Sequence, residues 1–369
     1  MRHTTSVIGG ILPSVAFILS WACAPQPQDT HPLVSRIDSV VEMFLEKGEA
    51  PSYAVGIRLG EDFVFTRGYG LADLEHQVSA THQSVYRIAS LTKQFTATAV
   101  LQLVERGLIG LEDDVREYLP DLSTRGHHVT IHHLLTHTSG VPSYTGLSAF
   151  EERVRLDLSH DALVDLIEEE PFDFLPGEAL RYSNSGYYLL GMIIEAVSGQ
   201  SYAEYLEEHI FRPLGMERSA YCSVEAIVPN RAKGYSREDQ EWSNAEAISM
   251  VNPFAAGGVC STVGDLLKWQ NALSQHLILN EDSSRKMTQR ATLNDGSETP
   301  YGYGIVITEF DGYQKYAFRG GITGFGSALT FTPELGLTIA VLTNSDQADP
   351  VELEVTLARM IAEWTTGET

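Results

Sequence analysis

Positive charge is scarce in this chain of 369 residues, with 25 Lys and Arg against 49 Asp and Glu, a formal net charge of −24. That balance repels polyanions and argues against nucleic acid and anionic membrane surfaces as partners. Only six of the cations are lysine, and only three residues are cysteine. The N-terminal apolar run, Val7 to Leu19, is too short for a lasting bilayer span. No internal repeat or long low-complexity tract is visible. What remains is a chain that is 43% apolar and long enough to bury a large core, in one or two intertwined lobes.

The first residues read as an export signal. Arg2 supplies a short positive region, the apolar run is broken by Gly9, Gly10 and Pro13, and Ser20-Trp21-Ala22 places small residues where a signal peptidase reads. Cys23 follows at once, and Ala24 to Thr30 is composed like a flexible tether. The segment resembles a bacterial lipoprotein signal, although Trp21 is bulky and Ser20 replaces the usual aliphatic residue. Two fates stay open, lipidation of Cys23 or ordinary cleavage and release. Residues 1–23 are thus assigned to the signal and 24–33 to the tether. The expected location is the bacterial periplasm or cell envelope, or the exterior, with any membrane contact made through a lipid on Cys23. Export would permit a Cys222–Cys260 disulfide. The plainer expectation is two separate small core residues.

Lysine scarcity sharpens one short motif. Only Lys93 and Lys286 have serine three positions earlier, and Ser283 lies in the polar run 280–286, which reads as a solvated helix start. Ser90 instead follows an apolar, β-branched approach and precedes Phe95, Ala99, Leu103 and Val104 at helical spacing, stopped by Gly107. Ser90 and Lys93 therefore share one face of a buried helix start. Unpaired backbone N–H groups and the helix dipole favour a nucleophile there. Desolvation makes the lysine a usable base. The chemistry implied is that of an acyl-serine hydrolase.

Two further stretches join it. Among sixteen tyrosines only Tyr182 has asparagine two positions on, in a loop before a helix starting near Gly186. A tyrosine beside a lysine ammonium ionises more easily and relays protons, and Asn184 can orient an amide. Read alone, the same stretch is a helix start capped by Ser183 or Asn184. In Phe318-Arg319-Gly320-Gly321-Ile322-Thr323-Gly324-Phe325 the paired glycines let a substrate approach a strand edge. The N–H of Gly321 would join that of Ser90 as an oxyanion hole. A phosphate-loop reading fails, because a strand follows rather than a helix.

Coarse patterning gives a helix over 34–47, a hairpin (Tyr53 to Leu59 and Phe63 to Arg67) and then the Ser90 helix. Helices follow over 162–169, 187–197, 202–210 and 263–273, with Thr262 and Asp265 spaced as a capping pair. Strands return at 301–308, 316–319, 325–332 and 337–343, and a last helix covers 351–364. The fold class expected is α/β of the α+β type. An antiparallel sheet flanked by helices is built from both chain ends, 34–110 and 251–369, around a mostly helical insert, 111–250.

In its motifs the chain resembles the serine β-lactamase and penicillin-binding-protein superfamily, in the branch of class C β-lactamases, DD-carboxypeptidases and esterases. The nucleophile segment Arg87 to Phe95, the loop His133-Leu134-Leu135-Thr136-His137-Thr138-Ser139-Gly140 and the run Tyr182-Ser183-Asn184-Ser185-Gly186-Tyr187 carry the likeness. Phe211 to Met216, Ala255 to Gly258 and Tyr301 to Gly304 follow in the family's order. The resemblance implies that Ser90 is acylated, that Lys93 and Tyr182 share proton transfer, and that Asn184 binds the substrate amide and steadies Lys93. Ser90 and Gly321 would bind the oxyanion. It implies no cofactor, and a small-molecule or peptide substrate with a carbonyl acyl group.

The chain departs from the family once. Phe318 stands where the family has lysine or histidine and Arg319 where it has serine or threonine, moving the positive charge to the other face of a strand. Arg319 and Gly320 stay as substrate-binding candidates, and an esterase or amidase acting on substrates without the usual carboxylate gains ground. The alternative is a catalytically impaired envelope binding protein. His127, His128, His132, His133 and His137 crowd one stretch, but no third ligand has recognisable spacing, so no metal site is assigned.

Overall fold

The computed structural model describes Met1 and residues 31–367, so the signal-like segment, Cys23 and most of the tether lie outside the described residues. Helix α1 spans Pro32–Glu46, two residues earlier than the periodicity predicts. Proline fits the first helical position, where no N–H is needed, and the His31 side chain accepts from Leu33 N–H. Strands β1 (Ser52–Leu59), β2 (Phe63–Asp73), β3 (Val78–Ser79) and β4 (Tyr86–Arg87) follow, then α2 (Thr92–Glu105). The middle of the chain carries α3 (Ile131–Leu135), α4 (Ser148–Glu151), α5 (His160–Glu169), α6 (Asn184–Ser198) and α7 (Tyr202–Leu206). The short strands β5 (Ala220–Tyr221), β6 (Tyr235–Glu238) and β7 (Glu241–Asn244) come next. After α8 (Phe254–Gly257) and β8 (Val259–Ser261) come α9 (Val263–Ser274), α10 (Glu281–Met287), and strands β9 (Val306–Phe310) to β12. Strand β10 is Tyr313–Ile322, β11 is Phe325–Thr332 and β12 is Leu337–Thr343, and α11 (Pro350–Thr366) closes the chain.

The main sheet has seven strands in the order β3-β2-β1-β12-β11-β10-β9. Its centre is the antiparallel pair β1–β12, Tyr53 opposite Thr343 through Leu59 opposite Leu337, so the two chain ends meet in the middle. Strand alternation sorts the two faces. Ile339 and Val341 pack with Ile37, Val41 and Phe44 of α1 and Leu353, Leu357 and Ile361 of α11. Ala340 and Leu342 turn to the opposite core, with Phe95 and Val100 of α2, Ile193 of α6 and Trp269 of α9. Among the described residues the main sheet draws on 52–79 and 306–343, and the stretch 111–250 adds helices and the hairpin β6–β7.

Three local readings change. The strand expected at 301–308 starts at Val306, because Tyr301 to Gly304 form a turn in which Gly304 takes φ 68°. Thr262 caps α9 by accepting from Asp265 N–H, yet the Asp265 carboxylate accepts from Arg218 N–H and Ser219 instead of closing the box. Cys222 and Cys260 are joined by a disulfide across a Cα separation of 5.3 Å, which overturns their reading as two separate core residues. Strand β8 pairs with β5, Ala220 opposite Cys260, and Cys222, two residues beyond Ala220, falls within bridging range of Cys260.

Candidate active site

Ser90 sits in a single tight turn, Ala89–Leu91, between β4 and α2. Ala89 takes φ 47°, which costs an alanine energy and turns the chain sharply ahead of the serine. Burial in α2 then brings Lys93 to full enclosure, its Nζ 3.3 Å from Ser90 Oγ. The other partners of that nitrogen are Asn184 Oδ1 at 2.8 Å and the Ala256 carbonyl at 2.7 Å. Burial pushes the Lys93 pKa well below its ordinary value, so the neutral amine is favoured. A neutral amine has two protons and one lone pair. Asn184 Oδ1 and the Ala256 carbonyl can only accept, which directs both protons to them and leaves the lone pair for the Ser90 hydroxyl.

Asn184 is held in the required orientation. Its Nδ2 donates to Thr145 Oγ1 at 2.9 Å and its backbone N–H to Ser143 Oγ at 3.0 Å, leaving Oδ1 for Lys93. Ser183 is the α6 cap, accepting from Gly186 N–H, so the stretch serves as helix start and site at once.

Tyr182 donates its O–H to Ser90 Oγ at 2.8 Å. The residue is 36% exposed, on the wall of the cleft. Burial pushes this phenol upward, opposed in part by the bond to Ser90. The expectation of an easily ionised tyrosine is therefore corrected: with Lys93 neutral there is no ammonium to draw the proton off, and Tyr182 stands as a proton donor. Behind it lies His137, which the sequence marks as part of a signature loop and of the histidine cluster. Its ring centre is 4.5 Å from that of Tyr182, 5.1 Å from Tyr187 and 5.2 Å from Tyr301. Burial pushes the His137 pKa far down, and its Nδ1 accepts from Ser183 N–H at 3.2 Å. His137 is a neutral backing plate for the tyrosine.

Strand β10 closes the site. A Cβ at Gly320 would stand 2.4 Å from the Ile88 carbonyl and 2.9 Å from Ser90 N, so only glycine lets the strand lie against the nucleophile turn. Gly321, next along, opens into free space. Phe318 is buried against Tyr301, with ring centres 6.4 Å apart, and Arg319 is exposed, as strand alternation requires. A cleft of about 860 Å³ holds Ser90, Tyr182, Tyr301, Phe318, Arg319 and Gly321. On the other side of Ser90, a pocket of about 190 Å³ is lined by Asn184, Tyr144, Phe150, Ile248, Gly321 and Thr323.

The crowded histidines go separate ways. His128 meets Asp114, His132 meets Tyr303, His133 closes the α3 cap with Thr130, and His127 packs at a tilt against Phe172. Among the described residues the one grouping with ligand spacing is Asp73, Glu75 and His76, already engaged by the Lys233 ammonium. Thr145 carries no sequence signal, and Ala256, His137 and Tyr301 stand out in the sequence only as parts of family landmarks, with no role assigned. The bonds of Ala256 and Thr145 run between distant segments and leave no local pattern to read.

Known proteins share this arrangement of elements. A family model described as Beta-lactamase matches residues 37–362. A penicillin-binding protein of Bacillus subtilis (strain 168) is 29% identical over 304 residues, covering 78% of this chain and 67% of that protein. A penicillin binding protein from Bacillus halodurans superposes with TM-score 0.76 at 28% identity, over 88% of this chain and 98% of that one. A D-stereospecific amidohydrolase from a Streptomyces species gives 0.74 at 27% identity, over 86% and 96%.

Proposed function

This chain belongs to the beta-lactamase family of serine hydrolases, and on that premise we propose an exported enzyme that cleaves an ester, amide or β-lactam bond through an acyl-Ser90 intermediate. The carrying observation is the fully enclosed Lys93 amine, 3.3 Å from Ser90 Oγ and held by Asn184 Oδ1 and the Ala256 carbonyl. As Ser90 Oγ attacks the carbonyl carbon, Lys93 takes its proton. The N–H groups of Ser90 and Gly321 hold the oxyanion, where losing one donor typically costs on the order of 10²–10³ in rate. Tyr182 gives its proton to the leaving group and regains one through Lys93. A water then attacks the acyl-enzyme by the reverse path.

Phe318 narrows the substrate class. Where the family has a lysine or histidine for a carboxylate beside the scissile bond, this cleft has an aromatic ring against Tyr301. Esters and amides without that carboxylate are favoured, in keeping with the amidohydrolase named among the neighbours. Incubation with a fluorescent penicillin or phosphonate, followed by mapping of the labelled peptide, tests the reading. Label on Ser90 in wild type and none in Ser90→Ala supports it. Saturable binding without label or turnover of any ester, β-lactam or D-Ala peptide replaces it with the impaired binding protein. Cleavage after Ala22, read from the mature N-terminus, tests export.

A further inference from the structure

A third cavity, of about 290 Å³, lies beside the catalytic pockets. Arg87, Arg231 and the Cys222–Cys260 disulfide are among its lining residues. Arg87 is half-buried, three residues before the nucleophile and opposite Cys260 in the β4–β8 ladder. Among the described residues its guanidinium has no hydrogen bond and no carboxylate, and it makes only a contact with the Phe325 ring, 5.4 Å from the centroid. Arg231 adds a second positive charge, held by the Ser223 and Ala226 carbonyls and likewise without a carboxylate. Burial, followed by the charge of the exposed Arg231 nearby, holds the Arg87 pKa below its usual value. The other charged groups on the walls are spent: Lys233 on Asp73 and Glu75, Glu246 on Arg155.

In a chain of net charge −24, the half-buried Arg87 guanidinium faces this cavity with no carboxylate bonded to it, which leaves charged donors for a ligand to complete. The cavity continues the acyl side of the site. Thr323 lines both it and the 190 Å³ pocket that holds Asn184, and the segment 244–250 runs along both walls. An acyl chain oriented by Asn184 and leaving past Thr323 and Ile248 would head into the cavity that Arg87 lines. We propose that this cavity is an anion subsite that receives a carboxylate at the far end of the substrate's acyl chain, so that acyl groups ending in an acid are preferred. The proposal rests on the acyl-Ser90 reading and adds the acyl class to it.

The probe is a homologous series of p-nitrophenyl monoesters of straight-chain dicarboxylic acids, each beside its methyl-capped neutral twin. At the chain length that spans the gap, the acid should exceed its twin in kcat/KM by about tenfold or more, as expected for charge-assisted hydrogen bonds. The ratio is read within each protein, so any general loss of activity cancels. It should fall to near one in Arg87→Gln and recover in part in Arg87→Lys. Arg231→Gln on the other wall repeats the measurement if Arg87→Gln does not fold. A ratio near one at every length in wild type, or a ratio unmoved in Arg87→Gln, overturns the subsite. Calorimetric titration of Ser90→Ala with the same esters reads binding without turnover. Acid-selective binding that is lost with Arg87 supports the subsite even if the hydrolase reading fails. Binding of inorganic sulfate at Arg87 with no preference for acid over twin overturns it in favour of a lone anion site.

Discussion

Lys93 shows how one side chain couples stability to chemistry. A lysine enclosed in a core loses the hydration of its charged form, and no carboxylate offsets that loss here; the amine meets Asn184, Ala256 and Ser90. Its pKa is held well below 10.5 in the folded chain, whereas the unfolded chain keeps an ordinary lysine. Between those two values the unfolded state binds the extra proton, so raising pH through that window stabilises the fold. Wild type should therefore gain melting temperature relative to Lys93→Met as pH rises from neutral toward about 10. A difference that stays flat with pH would mean that Lys93 is charged in the folded protein, and the base assignment would fall with it. His137 and Ala89 belong to the same scale. Both take φ above +40° without being glycine, and both flank the reacting groups, where backbone strain is retained for placement.

At the scale of elements, two cross-links hold the scaffold around the site. Lys315 of β10 meets Glu354 of α11 at 2.6 Å with both side chains almost fully enclosed, and Thr330 of β11 donates to the same carboxylate at 2.7 Å. Glu354→Ala would strand a buried ammonium and should cost about 3–5 kcal/mol, while the apolar pair Lys315→Met with Glu354→Leu should recover most of it. Urea melts of the three variants check this, and a single variant as stable as wild type would refute it. The Cys222–Cys260 disulfide closes a separation of 38 residues and anchors β8, which pairs with β4 immediately before the nucleophile turn. Replacing both cysteines with serine should lower stability by about 3–4 kcal/mol, on the loop-entropy account. A reductant should reproduce the loss in wild type and leave the double variant unmoved in the same melt.

At the scale of the whole molecule, the excess of 24 negative charges acts on the compact state as self-repulsion. Raising ionic strength from a few millimolar to about 0.15 M, where the screening length falls to about 8 Å, should raise the melting temperature. A fall would show that local ion pairs outweigh the net charge.

Much of this protein was legible without coordinates. Ser90, Lys93, Tyr182 and Asn184 stand out in the sequence because a nucleophile and its base can share one helix turn and because several motifs follow in one family order; alone, the Tyr182–Asn184 stretch reads as a capped helix start. Core strands stand out as short β-branched, apolar runs, as in β12, which is buried throughout. Tertiary structure decided the rest. That Tyr182 keeps its proton depends on burial and on a neutral Lys93, neither of which is written in their spacing. That Ala256 and Thr145 hold the amine and the amide depends on bonds spanning 163 and 39 residues. The disulfide and the Arg87–Arg231 cavity likewise arise where β8 and the 220–250 segment come together. Sequence records local propensity and spacing directly. Proton ownership and charge balance belong to whatever the folded chain places nearby, so they exist only once the segments meet.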